Sequence, residues 1–206
     1  MGLSGFLLIG FVIIHLSGNF LLYIGFEDYN HYAHSLHATR LLYAAEVILL
    51  VLFFAHIYYA FLTTRENRKA RLIPYEMKKS KQDKAPWTPS AVMFISGAIV
   101  LAFILLHLAD FRFELRNAGA TGEDPALRAL RKLQDPITAS VYFVGSLFLG
   151  WHLLHGFQSV FQTFGLNHPK YTPWIKRLGI LLAIIIGLGF ASFPVWAFLK
   201  KWGILA

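Results

Sequence analysis

Five apolar stretches dominate the chain, at residues 3–24, 41–62, 91–109, 137–161 and 178–199. Each is long enough to cross a hydrocarbon core of ~30 Å, which takes roughly 20 helical residues. In lipid every backbone N–H and C=O must find its partner inside the segment, so such stretches fold as helices. The expected fold is therefore an all-α membrane protein with five transmembrane helices, built as a single domain over residues 1–206 with no legible internal repeat. Composition agrees: of 206 residues 56% are hydrophobic and only 15% charged. The mean hydropathy of +0.53 lies outside the range of ordinary soluble domains. The first stretch lacks a basic lead-in and a small-residue cleavage site, so it reads as a span and not as a signal peptide.

Nineteen Lys and Arg stand against eleven Asp and Glu. In a soluble protein this excess would suggest nucleic acid, but here the basic residues lie in the connections between spans, where they set orientation. Eight fall at 63–90 and three more (Lys170, Lys176, Arg177) follow the fourth span; the other side holds Arg40, five residues at 111–136, Lys200 and Lys201. The balance places the N-terminus in the cytoplasm. Within 111–136, GATGEDP reads as a turn and ALRALRKLQ as a short amphipathic helix. Neither long connection could form a catalytic domain, so chemistry outside the membrane would belong to another subunit.

The chain has no cysteine, which excludes disulfides, thiolate-held iron–sulfur clusters and covalent c-type haem attachment. Of nine histidines, five fall inside spans: His15, His56, His107, and both His152 and His155. Intramembrane imidazoles are expensive, and four helices each carrying one ask for a common cause. Counting residues from the span ends sorts them into two levels about 15 Å apart, His15 with His107 and His56 with His152. Two imidazoles facing each other at one depth suit a six-coordinate haem b, and two such levels suit two stacked haems. Zinc or copper would ask for carboxylate or thiolate companions. Gly145, Gly156 and Ser159 share roughly one face of the fourth span with His152, and Gly18 lies one turn beyond His15. These small residues offer room for a porphyrin, or ordinary close helix packing. His152 is taken as the ligand over His155 because its depth matches His56. His155 then lies one turn beyond, within reach of a propionate, a quinone or water.

Four stretches carry a family resemblance: HLSGNFLLYIGFEDYNHYAHSL, AAEVILLVLFFAHIYYAF with TTRENRKAR, MFISGAIVLAFILLHLADF, and GWHLLHGFQSVFQTFGL. In this order, each with its histidine, they resemble the single-polypeptide, five-helix di-haem cytochrome b that anchors succinate:quinone oxidoreductases and quinol:fumarate reductases in the bacterial inner membrane. The resemblance implies that His56 and His152 bind the haem nearer the cytoplasm, and His15 and His107 the outer haem. It also implies two partners, an iron–sulfur subunit and a flavoprotein subunit that keep the clusters and the FAD. A membrane quinone, menaquinone or ubiquinone, would exchange electrons with the anchor. The chain would thus act in an enzyme without carrying its catalytic head.

Quinone chemistry needs protons as well as electrons. Glu46, a carboxylate inside the second span, is either a quinone contact or a residue bonded to a neighbouring helix or haem-ligand imidazole. The segment GFEDYNHYAHSLH gathers Glu27, Asp28, His31, His34 and His37; it reads first as a solvated loop capping the helices and second as a proton or quinone site. At the inner face Trp87, Ser90, His155 and Ser159 form another candidate lining. Two competing readings remain: a cytochrome b anchor of another dehydrogenase or a hydrogenase, and a haem-free transporter whose histidines relay protons. The direction of catalysis and the quinone type leave no mark on the sequence.

Overall fold

The computed structural model describes residues 1–69, 93–116 and 124–204. Its helices are α1 (Gly2–Asn19), α2 (Leu21–Ile24), α3 (Phe26–His37), α4 (Arg40–Lys69), α5 (Met93–Phe111), α6 (Pro125–Leu133), α7 (Pro136–Thr163) and α8 (Thr172–Lys201). Five spans result, with α1 and α2 forming the first and α4, α5, α7 and α8 the others. No described residue is in a strand. Among the described residues, five helices are long and apolar enough to cross a membrane, the pattern of a multi-pass helical membrane protein.

The helices overrun the apolar stretches. The second continues from 62 to Lys69 and the fifth begins at Thr172, where a proline in the first turn suits the helix start. Polar residues keep the i to i−4 bonding going past the hydrocarbon boundary, so hydropathy marks the lipid and not the helix end. The start of the third span at 91–92, the basic segment 70–90 and most of GATGEDP lie outside the described residues.

One expectation is corrected. The segment read as a solvated loop is the twelve-residue helix α3. Glu27 and Asp28 stand in its first turn and His34 and His37 in its last, the arrangement that complements the helix dipole. Phe26 and Tyr29 pack against the core. The amphipathic helix expected from ALRALRKLQ is present as α6, with Ala126, Ala129 and Leu133 buried on one side. Asp124 supplies no side-chain cap there; instead the backbone N–H of Ala126 donates to Asn30 Oδ1 of α3 at 2.9 Å. Helices α3 and α6 thus meet at the end of the bundle opposite the start of α1.

The most extensive seam joins α7 to α8. Helix α8 buries Gly179, Ala183, Gly187 and Ala191, four residues apart, a stripe of small side chains that lets backbones approach. A Cβ on Gly150 of α7 would stand 2.8 Å from the Ala183 carbonyl oxygen and 3.0 Å from Gly187 Cα. The remaining spans run α4, α1, α7, α5, each packed on the next. Helix α4 rests along α1 and touches α3, without an extended seam against α5 or α7, and no residue of Arg40–Glu66 is fully buried. In this arrangement α1 faces α5 across one diagonal, and α4 faces α7 across the other.

Candidate functional site

Both diagonals are occupied by histidines. His15 of α1 and His107 of α5 have ring centroids 5.9 Å apart with planes at 80°. His56 of α4 and His152 of α7 lie 6.4 Å apart at 77°. All four side chains are half-buried. Among the described residues no group of three or more His, Cys, Asp or Glu side chains could hold a metal ion, so these imidazoles meet in twos. Two imidazoles on opposite sides of one iron, with bonds of about 2.0 Å and centroids ~1.2 Å behind the nitrogens, stand about 6.4 Å apart. The second pair meets that span at 6.4 Å and the first falls about 0.5 Å short of it at 5.9 Å; two imidazole nitrogens are the donor set that a six-coordinate haem b takes.

The two pairs have different surroundings. The His15–His107 pair is bedded in aromatic rings. Phe11 stacks on His15 at 5.4 Å and Phe190 lies 5.7 Å away. Phe111 and Tyr142 lie 5.3 and 6.0 Å from His107. Asn19 Nδ2 donates to the His15 carbonyl at 2.7 Å and lies 3.5 Å from both ring nitrogens. The His56–His152 pair is bordered by small and polar groups: Ser4 Oγ is 3.4 Å from His56 Nδ1 and Ser96 Oγ is 3.2 Å from His152 Nδ1. Added Cβ atoms on Gly5 and Gly97 would reach the Cε1 atoms of the same two rings at 3.4 and 3.2 Å.

The small residues near the paired histidines in sequence have mixed surroundings. Gly145 receives the ring of Phe103 and Gly18 that of Tyr32, while Gly156 meets only Met93 Cε, at 3.6 Å. His155 and Ser159 are half-buried on successive turns of α7 beyond His152. Trp87 and Ser90 lie outside the described residues. Glu46 is tied to the end of α5, accepting from Arg112 through Nε at 2.8 Å and Nη2 at 3.0 Å. That bond raises the Arg112 guanidinium above its ordinary value. His31 and His34 are exposed on α3; His31 lines a surface pocket of about 420 Å³ with Glu27, Asp28 and Tyr32.

Sequence reasoning missed Asp110. It is fully buried at the end of α5 and accepts from Arg116 at 2.6 and 2.7 Å and from the Tyr142 hydroxyl at 2.9 Å, with Lys132 Nζ of α6 at 3.3 Å. One charge therefore ties together α5, its following turn, α6 and α7. Ser4 and Ser96 were missed as well, although each begins a Ser-Gly pair in its span.

Fold and site together define a multi-pass helical membrane protein with two histidine pairs across the diagonals of a four-helix arrangement. The chain matches none of the protein-family models, curated proteins or solved structures compared with it.

Proposed function

We propose that this chain is a di-haem cytochrome b, the membrane-anchor subunit of a succinate:quinone oxidoreductase. In this role it passes electrons between an iron–sulfur partner subunit and a membrane quinone. The observation that carries the reading is the diagonal pairing: four histidines from four spans meet two by two, at 5.9 and 6.4 Å. A haem-free proton relay gives no reason for that separation in both pairs. The partner subunits, the FAD and clusters they hold, and the bacterial inner membrane follow from the family resemblance, and the cytoplasmic N-terminus from the balance of basic residues between the spans.

Haem, when bound, supplies one-electron oxidation and reduction between two depths of the membrane. His15 and His107 hold the iron of one group, His56 and His152 that of the other. Phe11, Phe190 and Phe111 exclude water around the first pair, while Ser4 and Ser96 engage the second pair's Nδ1 atoms. Quinone reduction takes up two protons, and titratable groups stand at both ends of the bundle: His155 beyond the second pair, and Glu46, His31 and His34 toward the first. The same parts serve a quinol:fumarate reductase run in the opposite direction.

A pyridine haemochrome assay with a redox titration tests the proposal. Two b-type haems per chain are expected. His15→Ala and His107→Ala should abolish the same transition, and His56→Ala and His152→Ala the other. A purified chain with no visible haem spectrum would overturn the reading, and loss of a haem in His155→Ala but not in His152→Ala would overturn the ligand assignment.

A further inference from the structure

The spans α1 and α5 share a pattern that crosses the two levels of the site. In SGFLLIGFVIIH, Ser4 and Gly5 precede His15; in SGAIVLAFILLH, Ser96 and Gly97 precede His107 at the same spacing. A phenylalanine stands four residues before each histidine and lies against it: Phe11 on His15 at 5.4 Å, Phe103 on His107 at 6.2 Å. Eleven residues are close to three helical turns, so serine and histidine share a face about 16 Å apart along the axis. Each helix therefore presents a ligand at one level and a Ser-Gly pair at the other.

Each of these serines stands between a backbone carbonyl and an imidazole of the second pair. Ser4 donates its single hydroxyl proton to the Met1 carbonyl at 2.9 Å, and Ser96 donates to the Met93 carbonyl at 3.0 Å. With that proton committed, each hydroxyl oxygen faces its histidine Nδ1 as an acceptor. That arrangement matches the tautomer with the proton on Nδ1 and the lone pair on Nε2. The glycines that follow place only hydrogen against Cε1 of the same rings, at positions where a Cβ would stand 3.4 and 3.2 Å away.

We infer that Ser4 and Ser96 are paired positioning residues. Each sets a hydroxyl oxygen, itself bonded to a backbone carbonyl, against the Nδ1 of a histidine on the diagonal helix, favouring the tautomer that presents Nε2 to iron. The inference rests on the haem reading above and extends it: the repeated Ser-Gly and histidine pattern makes α1 and α5 two copies of one support, each serving both haem levels. An acceptor on Nδ1–H strengthens imidazole donation and favours the oxidised metal.

The test is a potentiometric titration of the full chain in membranes, following the haem bands. In Ser4→Ala and Ser96→Ala, the transition that His56→Ala and His152→Ala abolish should move upward while the other stays in place. Loss of one such partner changes metal-site properties roughly tenfold or more; a tenfold change in the oxidised-to-reduced ratio is about 59 mV for one electron. Ser96→Thr, which keeps the acceptor, should titrate as wild type. Ser96→Cys, which keeps size but accepts weakly, should shift in the same sense as alanine and covers the case of an alanine variant that fails to accumulate. Haem-loaded alanine and cysteine variants with unmoved midpoints would refute the positioning role and leave the haem reading standing. A wild-type chain without haem would refute both.

Discussion

Asp110→Asn removes one charge from a group with no solvent exposure while keeping its size. The carboxylate holds a two-pronged bond from Arg116, a hydroxyl bond from Tyr142 and an ion pair with Lys132. A hydrogen bond to a charged group contributes about 1.5–3 kcal/mol. The Arg116 side chain is 41% exposed and the Lys132 side chain 12%, so the arginine regains water when released and the lysine does not. The expected cost is about 3 kcal/mol, measured by chemical unfolding in detergent micelles followed by far-UV circular dichroism. Glu46→Gln is the control, because its pair with Arg112 has side-chain exposures of 32% and 49%, and pairs of that kind contribute less than about 1 kcal/mol. Tyr142→Phe, which loses one of the bonds, should cost about 2 kcal/mol. If Glu46→Gln destabilises as much as Asp110→Asn, burial does not set the strength of this lock and the reasoning fails.

Gly150→Ala sets a Cβ 2.8 Å from a backbone oxygen of α8 and should cost about 1–3 kcal/mol by forcing two backbones apart, whereas Gly10→Ala, with nothing within 4 Å, should leave the same unfolding curve in place. Gly97→Ala should lower occupancy of the haem proposed at His56 and His152 more than Gly5→Ala does, since its Cβ comes closer to the ring, 3.2 against 3.4 Å; equal haem content in the two variants would contradict this. The Asp135 side chain caps α7 by accepting from the Thr138 N–H at 2.8 Å, and that bond holds its carboxyl below the usual carboxylate range. A lowered folded-state value stabilises above the unfolded value of about 3.9 and fades as pH falls through it. The stability gap between wild type and Asp135→Ala should therefore be full at neutral pH and narrow below about pH 4.

The legible part of the site is its four paired histidines. An imidazole inside an apolar run stands out against its neighbours, and helical rise converts sequence position into depth, so the pairs could be drawn from counting alone. Their supports were harder to see. A serine or glycine in a span looks like ordinary small-residue packing until its neighbour is known, and the shared spacing of Ser4-Gly5 to His15 and Ser96-Gly97 to His107 spans eleven residues of otherwise unrelated apolar sequence. The polar composition of α3 suggests a loop and hides the contacts that Phe26, Tyr29 and Tyr32 make with the bundle.

What the sequence alone determined is the solvent and the secondary structure. Five apolar stretches in lipid have no alternative to internal backbone hydrogen bonding, so their helices and approximate limits follow from hydropathy, and the histidine levels follow from 1.5 Å of rise per residue. Tertiary structure alone decided which helices are neighbours and which are diagonal. In lipid the apolar side chains have no water to escape, so association is set by close packing and polar partners. The stripe Gly179, Ala183, Gly187, Ala191 draws α8 onto α7, and the buried Asp110 gathers α5, α6 and α7. Those contacts, invisible to any periodicity, turn each depth level into a pair of facing imidazoles.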